Sequence, residues 1–120
     1  MRFAVLEHHT KEGFHWDFLA QRPGGSLRTW SLSTPPDHQS VGLATPLPDH
    51  RTVYLTYEGV VYPGRGFVRR WDSGSFELLV DREHLYRALV RGERLRGVVE
   101  FEPFERFVEE VDRYRYRPVC

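Results

Sequence analysis

Phe14-His15-Trp16-Asp17-Phe18 carries alternating polar and aromatic residues over five positions. A β-strand sends successive side chains to opposite faces, so His15 and Asp17 share one face while Trp16 and Phe18 share the other. One face is rich in potential ligands. The other is large, aromatic and core-seeking. The short segment Thr10 to Gly13 can fold His9 back against the same pair, and two imidazoles with a carboxylate can hold a divalent metal and leave positions open. On this reading the metal ligands are His9, His15 and Asp17, while His8 faces away from them and is exposed. The spacing equally suits a surface histidine followed by an amphipathic strand.

Outward from this stretch, composition narrows the function classes. The 120 residues suffice for one domain with a real core, with 40% hydrophobic and 14% aromatic content. The 17 basic and 17 acidic residues cancel, so no overall field draws the chain to nucleic acid, though a local basic patch remains open. Lys11 is the only lysine, and the arginines that carry the remaining positive charge suit phosphate through their planar fork of donors. Cys120 is the only cysteine, which excludes an intramolecular disulfide and fits a reducing, cytoplasmic setting. No apolar run is long enough to span a membrane, and residues 1–7 are too soon charged for a signal peptide.

Most segments read as short strands between turn signals. Strands are expected at Phe3 to Leu6, Phe14 to Gln21, Leu27 to Leu32, Thr52 to Tyr57, Phe67 to Trp71, Phe76 to Val80 and Val98 to Phe101. A polar, proline-bearing loop is expected from Ser33 to about His50, and Asp72-Ser73-Gly74 reads as a tight hairpin turn. His84 to Val90 suits helix or strand. Phe104, Phe107, Val108 and Val111 recur at helical spacing behind Pro103, which predicts a short C-terminal helix over 103–113 covering an edge. Frequent short strands imply a mainly β fold, a compact antiparallel β-barrel in one domain over 1–120.

The motifs, taken in order, are His9-x5-His15-Trp16-Asp17-Phe18, Ser26-Leu27-Arg28-Thr29-Trp30, Asp49-His50-x3-Tyr54, Tyr57-Glu58-Gly59, Trp71-Asp72-Ser73-Gly74-Ser75-Phe76 and Gly92-Glu93-Arg94-Leu95-Arg96-Gly97. This order resembles the 3′-phosphoesterase domain of bacterial DNA ligase D and its stand-alone relatives, over about Phe3 to Phe101. The resemblance implies a compact β-barrel and a manganese-dependent enzyme of DNA repair, other divalent metals being possible. It implies action on nucleic-acid 3′ ends, removing a terminal ribonucleoside and then a 3′-phosphate, with a separate ligase or polymerase as a possible partner. His9, His15 and Asp17 match the family's metal ligands. His50 matches a histidine on the scissile phosphate, and Tyr54 a tyrosine beside it, although packing is an equal role for Tyr54. Glu58 reads as a residue tying its turn, and Trp30 and Trp71 as core.

The chain departs from the family at Leu19 and Gly42, where the family has arginines, and at Pro48, where it has a glutamate. The family's N-terminal arm is expected to be missing as well. Phosphoryl transfer needs positive charge on the equatorial oxygens. Arg28, Arg51, Arg65, Arg69 and Arg70 are the arginines available to supply it. Two further readings stay open. One is a catalytically degenerate module that binds metal or nucleic-acid ends. The other is a phosphoesterase for a different small substrate.

Overall fold

A computed structural model describes residues 1–38, 41–105 and 108–119. It contains nine strands: β1 (Arg2–Thr10), β2 (Gly13–Gln21), β3 (Leu27–Leu32), β4 (Gly42–His50), β5 (Gly59–Val60), β6 (Phe67–Arg82), β7 (Leu85–Gly92), β8 (Arg96–Glu105) and β9 (Val108–Pro118). They pair antiparallel in the order β1-β2-β3-β4-β9-β8-β7-β6-β5, and a further β1–β6 pairing closes the sheet into a ring. The antiparallel barrel expected from the sequence is therefore present. Closure shortens the exposed sheet edge that an open sheet of this size would leave, to β5 and the part of β4 beyond Ala44.

Inside the ring, alternate residues of every wall meet in one core. Trp30 is its centre. It stacks on Phe101 at 3.9 Å, with Phe18, Tyr86 and Tyr114 packed about the pair. Its indole N–H donates to Asp112 at 3.0 Å, so the one polar atom of the ring is satisfied. A second, smaller cluster lies on the outer face of β1, β2 and β6. There Ala4, Leu6, Leu19, Leu27 and Val68 are covered by Val61, with Tyr54, Leu55 and Tyr57 against them. The cover is the segment from Arg51 to Gly66, and the functional residues lie beneath its rim.

Four local expectations differ from the structure. The stretch ending at His50 is strand β4 rather than loop. It pairs with β9 only through Gly42–Ala44, so Pro46 and Pro48 lie on a free margin where a missing N–H costs little. Thr52–Leu55 is a 3-10 turn, not a strand. Tyr54 and Leu55 of the turn, with Tyr57 just beyond it, pack against the second cluster. Asp72-Ser73-Gly74 is not a turn but lies within the 16-residue β6, which hands over there from β1 to β7. The C-terminal helix is likewise replaced by the β8–β9 hairpin. Arg106 and Phe107, which fall in the segment expected to be helical, lie outside the described residues. Arg113-Tyr114-Arg115-Tyr116-Arg117 carries the strand signal, with both tyrosines buried, and ring closure through β9 outweighs the helical spacing upstream. His84 to Val90, ambiguous in sequence, lies largely in strand β7.

The Trp71-Asp72 motif has a structural role. The Asp72 carboxylate is buried and accepts backbone N–H groups of Ser73, Glu93, Arg94 and Leu95 at 2.8, 2.8, 3.2 and 2.8 Å. It thereby holds the turn that joins β7 to β8. Gly92 makes this possible: a Cβ there would stand 2.3 Å from Asp72 Oδ2.

Candidate metal and phosphate site

β1 and β2 form a hairpin whose pairing runs from Phe3↔Ala20 to Thr10↔Gly13, with Lys11-Glu12 as its two-residue turn. Paired residue numbers therefore sum to 23, which places His8 directly opposite His15 and Leu6 opposite Asp17. His8, His15 and Asp17 share the outer face, and one ligand atom from each lies within 4.8 Å of the others. Here the structure corrects the sequence reading. His9 is opposite Phe14 and points to the other face. Its ring stacks against Phe14 and Phe67, at 5.1 and 4.7 Å, and its Nε2 meets Glu7 Oε1 at 2.8 Å. A three-residue turn would have raised the sum to 24 and set His9 opposite His15. The turn length decides which histidine joins the cluster.

The chemistry of the three residues suits a cation. His8 Nε2 donates to the carbonyl of Arg65 at 2.6 Å, which leaves Nδ1 facing Asp17 Oδ2 at 3.3 Å. His15 Nε2 is 3.1 Å from Asp17 Oδ1. That oxygen is buried and has no hydrogen bond of good geometry. Burial works to raise the Asp17 carboxyl, but hydrogen bonds from His15 and His8 outweigh it and hold the group below its ordinary value. The bond to Asp17 lifts the His8 imidazole above its ordinary value, against the opposing effect of burial and with help from the Arg65 carbonyl. An ionised, buried carboxylate with one imidazole nitrogen against each oxygen matches the demands of a divalent cation with nitrogen and oxygen ligands.

Gly66 delivers the Arg65 carbonyl. Its φ is +77°, and a Cβ would lie 1.7 Å from the carbonyl oxygen of His9, so only glycine lets this loop press on β1. Val61 and Gly66 close the loop through a 2.8 Å backbone hydrogen bond.

A cleft of about 420 Å³ opens beside the cluster, and His8, Asp17, His50, Arg51, Tyr54 and Arg65 all line it. His50 ends β4. Its Nδ1 donates to the Pro48 carbonyl at 3.0 Å, which leaves Nε2 as the nitrogen free for a ligand. The x3 spacing carries Tyr54 round the 3-10 turn to meet the His50 ring edge-on at 5.7 Å. The Arg51 guanidinium lies 5.9 Å from the Tyr54 ring centre. Asp49 anchors this corner, binding Arg22 at 2.7 Å and the Ser26 hydroxyl at 2.8 Å.

Of the five arginines considered, Arg51 and Arg65 line the cleft. The other three are engaged elsewhere. Arg28 pairs with Asp81 at 2.7 Å and covers Trp30 and Tyr86. Arg69 pairs with Glu7 at 3.0 Å. Arg70 donates to the Thr56 carbonyl at 3.3 Å, and its backbone N–H donates to Glu58, which ties the cover to β6. Leu19 is fully buried in the second cluster. Gly42 begins the strand that His50 ends, on the order of 26 Å away along an extended chain.

Among the described residues, no helix is long and apolar enough to cross a membrane. None of the curated proteins compared with the chain matches it. A family model for the DNA ligase D 3′-phosphoesterase domain matches residues 7–102, which run from within β1 to within β8 and include the cleft residues His8, Asp17, His50, Arg51, Tyr54 and Arg65. The chain belongs to the DNA ligase D 3′-phosphoesterase domain family.

Proposed function

We propose that this protein is a divalent-metal-dependent phosphoesterase that removes 3′-phosphates or 3′-terminal ribonucleotides from nucleic-acid ends in DNA repair. His8, His15 and Asp17 are the metal ligands on this reading. The observation that carries it is the buried Asp17 carboxylate set between the imidazoles of His8 and His15, in a cleft that also holds His50, Arg51, Tyr54 and Arg65. A bound Mn²⁺ would supply positive charge to the phosphate oxygens and lower the pKa of a water. The protein's own groups do the rest. Arg51 and Arg65 receive the phosphate and offset its charge. His50, its ring fixed by the Pro48 carbonyl, presents Nε2 to the phosphate, and in the imidazolium form that nitrogen donates to a phosphate oxygen or to the departing oxygen. Tyr54 fixes the face of that ring. In removal of a 3′-phosphate the P–O3′ bond breaks, water supplies the new P–O bond, and the 3′-oxygen leaves as a hydroxyl; in release of a terminal ribonucleoside the P–O5′ bond breaks instead and the phosphate stays on the 3′ end.

Burial of Leu19 in place of a family arginine favours a second reading, in which the metal site is kept and turnover is lost. One experiment separates the two. A DNA duplex with a 3′-phosphate or a single 3′-ribonucleotide is incubated with Mn²⁺ and wild type, His8→Ala, His9→Ala or His50→Ala protein. The enzyme reading expects turnover in wild type and His9→Ala, and a loss of at least a hundredfold in His8→Ala and His50→Ala. Metal binding without turnover in wild type would establish the second reading.

A further inference from the structure

We propose that an apolar hollow beside the phosphate cleft binds the base of the terminal nucleotide, with Tyr62 as its stacking face. This rests on reading the cleft as a 3′-phosphate site. The hollow has a volume of about 360 Å³ and shares Arg51, Tyr54, Val61 and Tyr62 with the cleft, so the two are continuous. Val53, Tyr57 and Val60 complete its wall.

Its exposure pattern is unlike that of a packed corner. Tyr62 is 81% exposed, and Val53 and Val60 are each 51% exposed, so three large apolar side chains crowd one concave spot. The hollow is also built. The Tyr57 hydroxyl donates to the Val60 carbonyl, and the Tyr54 and Tyr57 rings meet edge-to-face at 5.7 Å, which fixes its floor. The size lies within the range of about 300–1,000 Å³ usual for small-ligand sites.

The shape of the pair selects the ligand. A cleft that carries two histidines, two carboxylates and two arginines adjoins an aromatic and aliphatic hollow whose one charge is Arg51. A ligand that fills both has an anionic group joined to a flat apolar body, which describes a nucleoside 3′-phosphate. The chain carries no net charge to hold a long nucleic-acid backbone, which puts more of the recognition of an end on contacts to its last nucleotide.

Chemical-shift titrations of the metal-free protein in chelator test this with three probes: deoxyadenosine 3′-monophosphate, its abasic sugar 3′-phosphate, and deoxyadenosine. The base should tighten binding of the phosphate by about tenfold, the size of one base–aromatic stack. Tyr62→Ala should bring that ratio close to one, and Tyr62→Phe should preserve it. Equal binding of the base-bearing and abasic phosphates by wild type would overturn the inference, as would a ratio that survives in Tyr62→Ala or is lost in Tyr62→Phe. Failure of the phosphate reading looks different: deoxyadenosine would bind as tightly as its 3′-phosphate while the effect of Tyr62 persisted. Binding of none of the three would overturn both.

Discussion

His8 and His9 are adjacent in sequence yet occupy opposite faces of β1, and their surroundings make opposite predictions. His8→Ala should weaken Mn²⁺ binding at least a hundredfold, whereas His9→Ala should leave it within threefold, as read by calorimetry. The proton on His8 supplies a second check. Its raised value means that, without metal, its contact with Asp17 stabilises the fold fully below the ordinary value of 6.5 and fades as pH rises through the folded value above it. Thermal melts in chelator between about pH 6 and 8 should show this loss in wild type and not in His8→Ala. Metal affinity should climb over the same window, because the cation displaces that proton. Asp17 acts in the opposite sense: its lowered value gives stability that is present above 3.8 and lost as pH falls through the folded value.

At the level of elements, two loops do separable work. The turn from β7 to β8 hangs on Asp72, away from the cleft. Asp72→Ala strands buried N–H groups and should cost about 3 kcal/mol in denaturant unfolding, with Mn²⁺ affinity unchanged in the folded protein. The 61–66 loop instead serves the site, because Gly66 sets the Arg65 carbonyl on His8. Gly66→Ala should both destabilise the fold and weaken Mn²⁺ binding, since the loop has to lift from β1 to make room for the new methyl group. The β1–β2 turn is the third such element. Alternation along β2 was plain in sequence and correctly grouped His15 with Asp17, but it is silent on the partner strand. Lys11-Glu12, only two residues, fixed the pairing that His9-x5-His15 spacing could not reveal.

For the whole molecule, the barrel core carries stability and the outer face carries chemistry. Trp30→Ala removes the centre of the aromatic stack and should cost about 3–5 kcal/mol. Charge is balanced across the chain, with Arg51 and Arg65 the arginines in the cleft. Two phosphate contacts give a shallow salt dependence, so affinity for a 3′-phosphorylated end should fall only about tenfold between 50 and 200 mM salt, measured by fluorescence anisotropy. A far steeper slope would mean that a longer stretch of backbone is engaged. The other three arginines were indistinguishable from these two in sequence. Each found an acidic or carbonyl partner on a segment distant in sequence that no local pattern announces.

The sequence by itself determined a strand-rich chain with an aromatic core, the grouping of His15 with Asp17, the closeness of His50 to Tyr54, and the family. All of these follow from alternation along one strand or from motifs with short internal spacing, which the local backbone fixes. Tertiary structure decided that His8 rather than His9 completes the cluster, that Arg51 and Arg65 face the cleft, and that Val108–Pro118 pairs as a strand. These depend on hydrogen-bond register between distant segments and on ring closure. A one-residue change in pairing reverses which face a side chain takes, and that choice is made by the energy of the whole sheet.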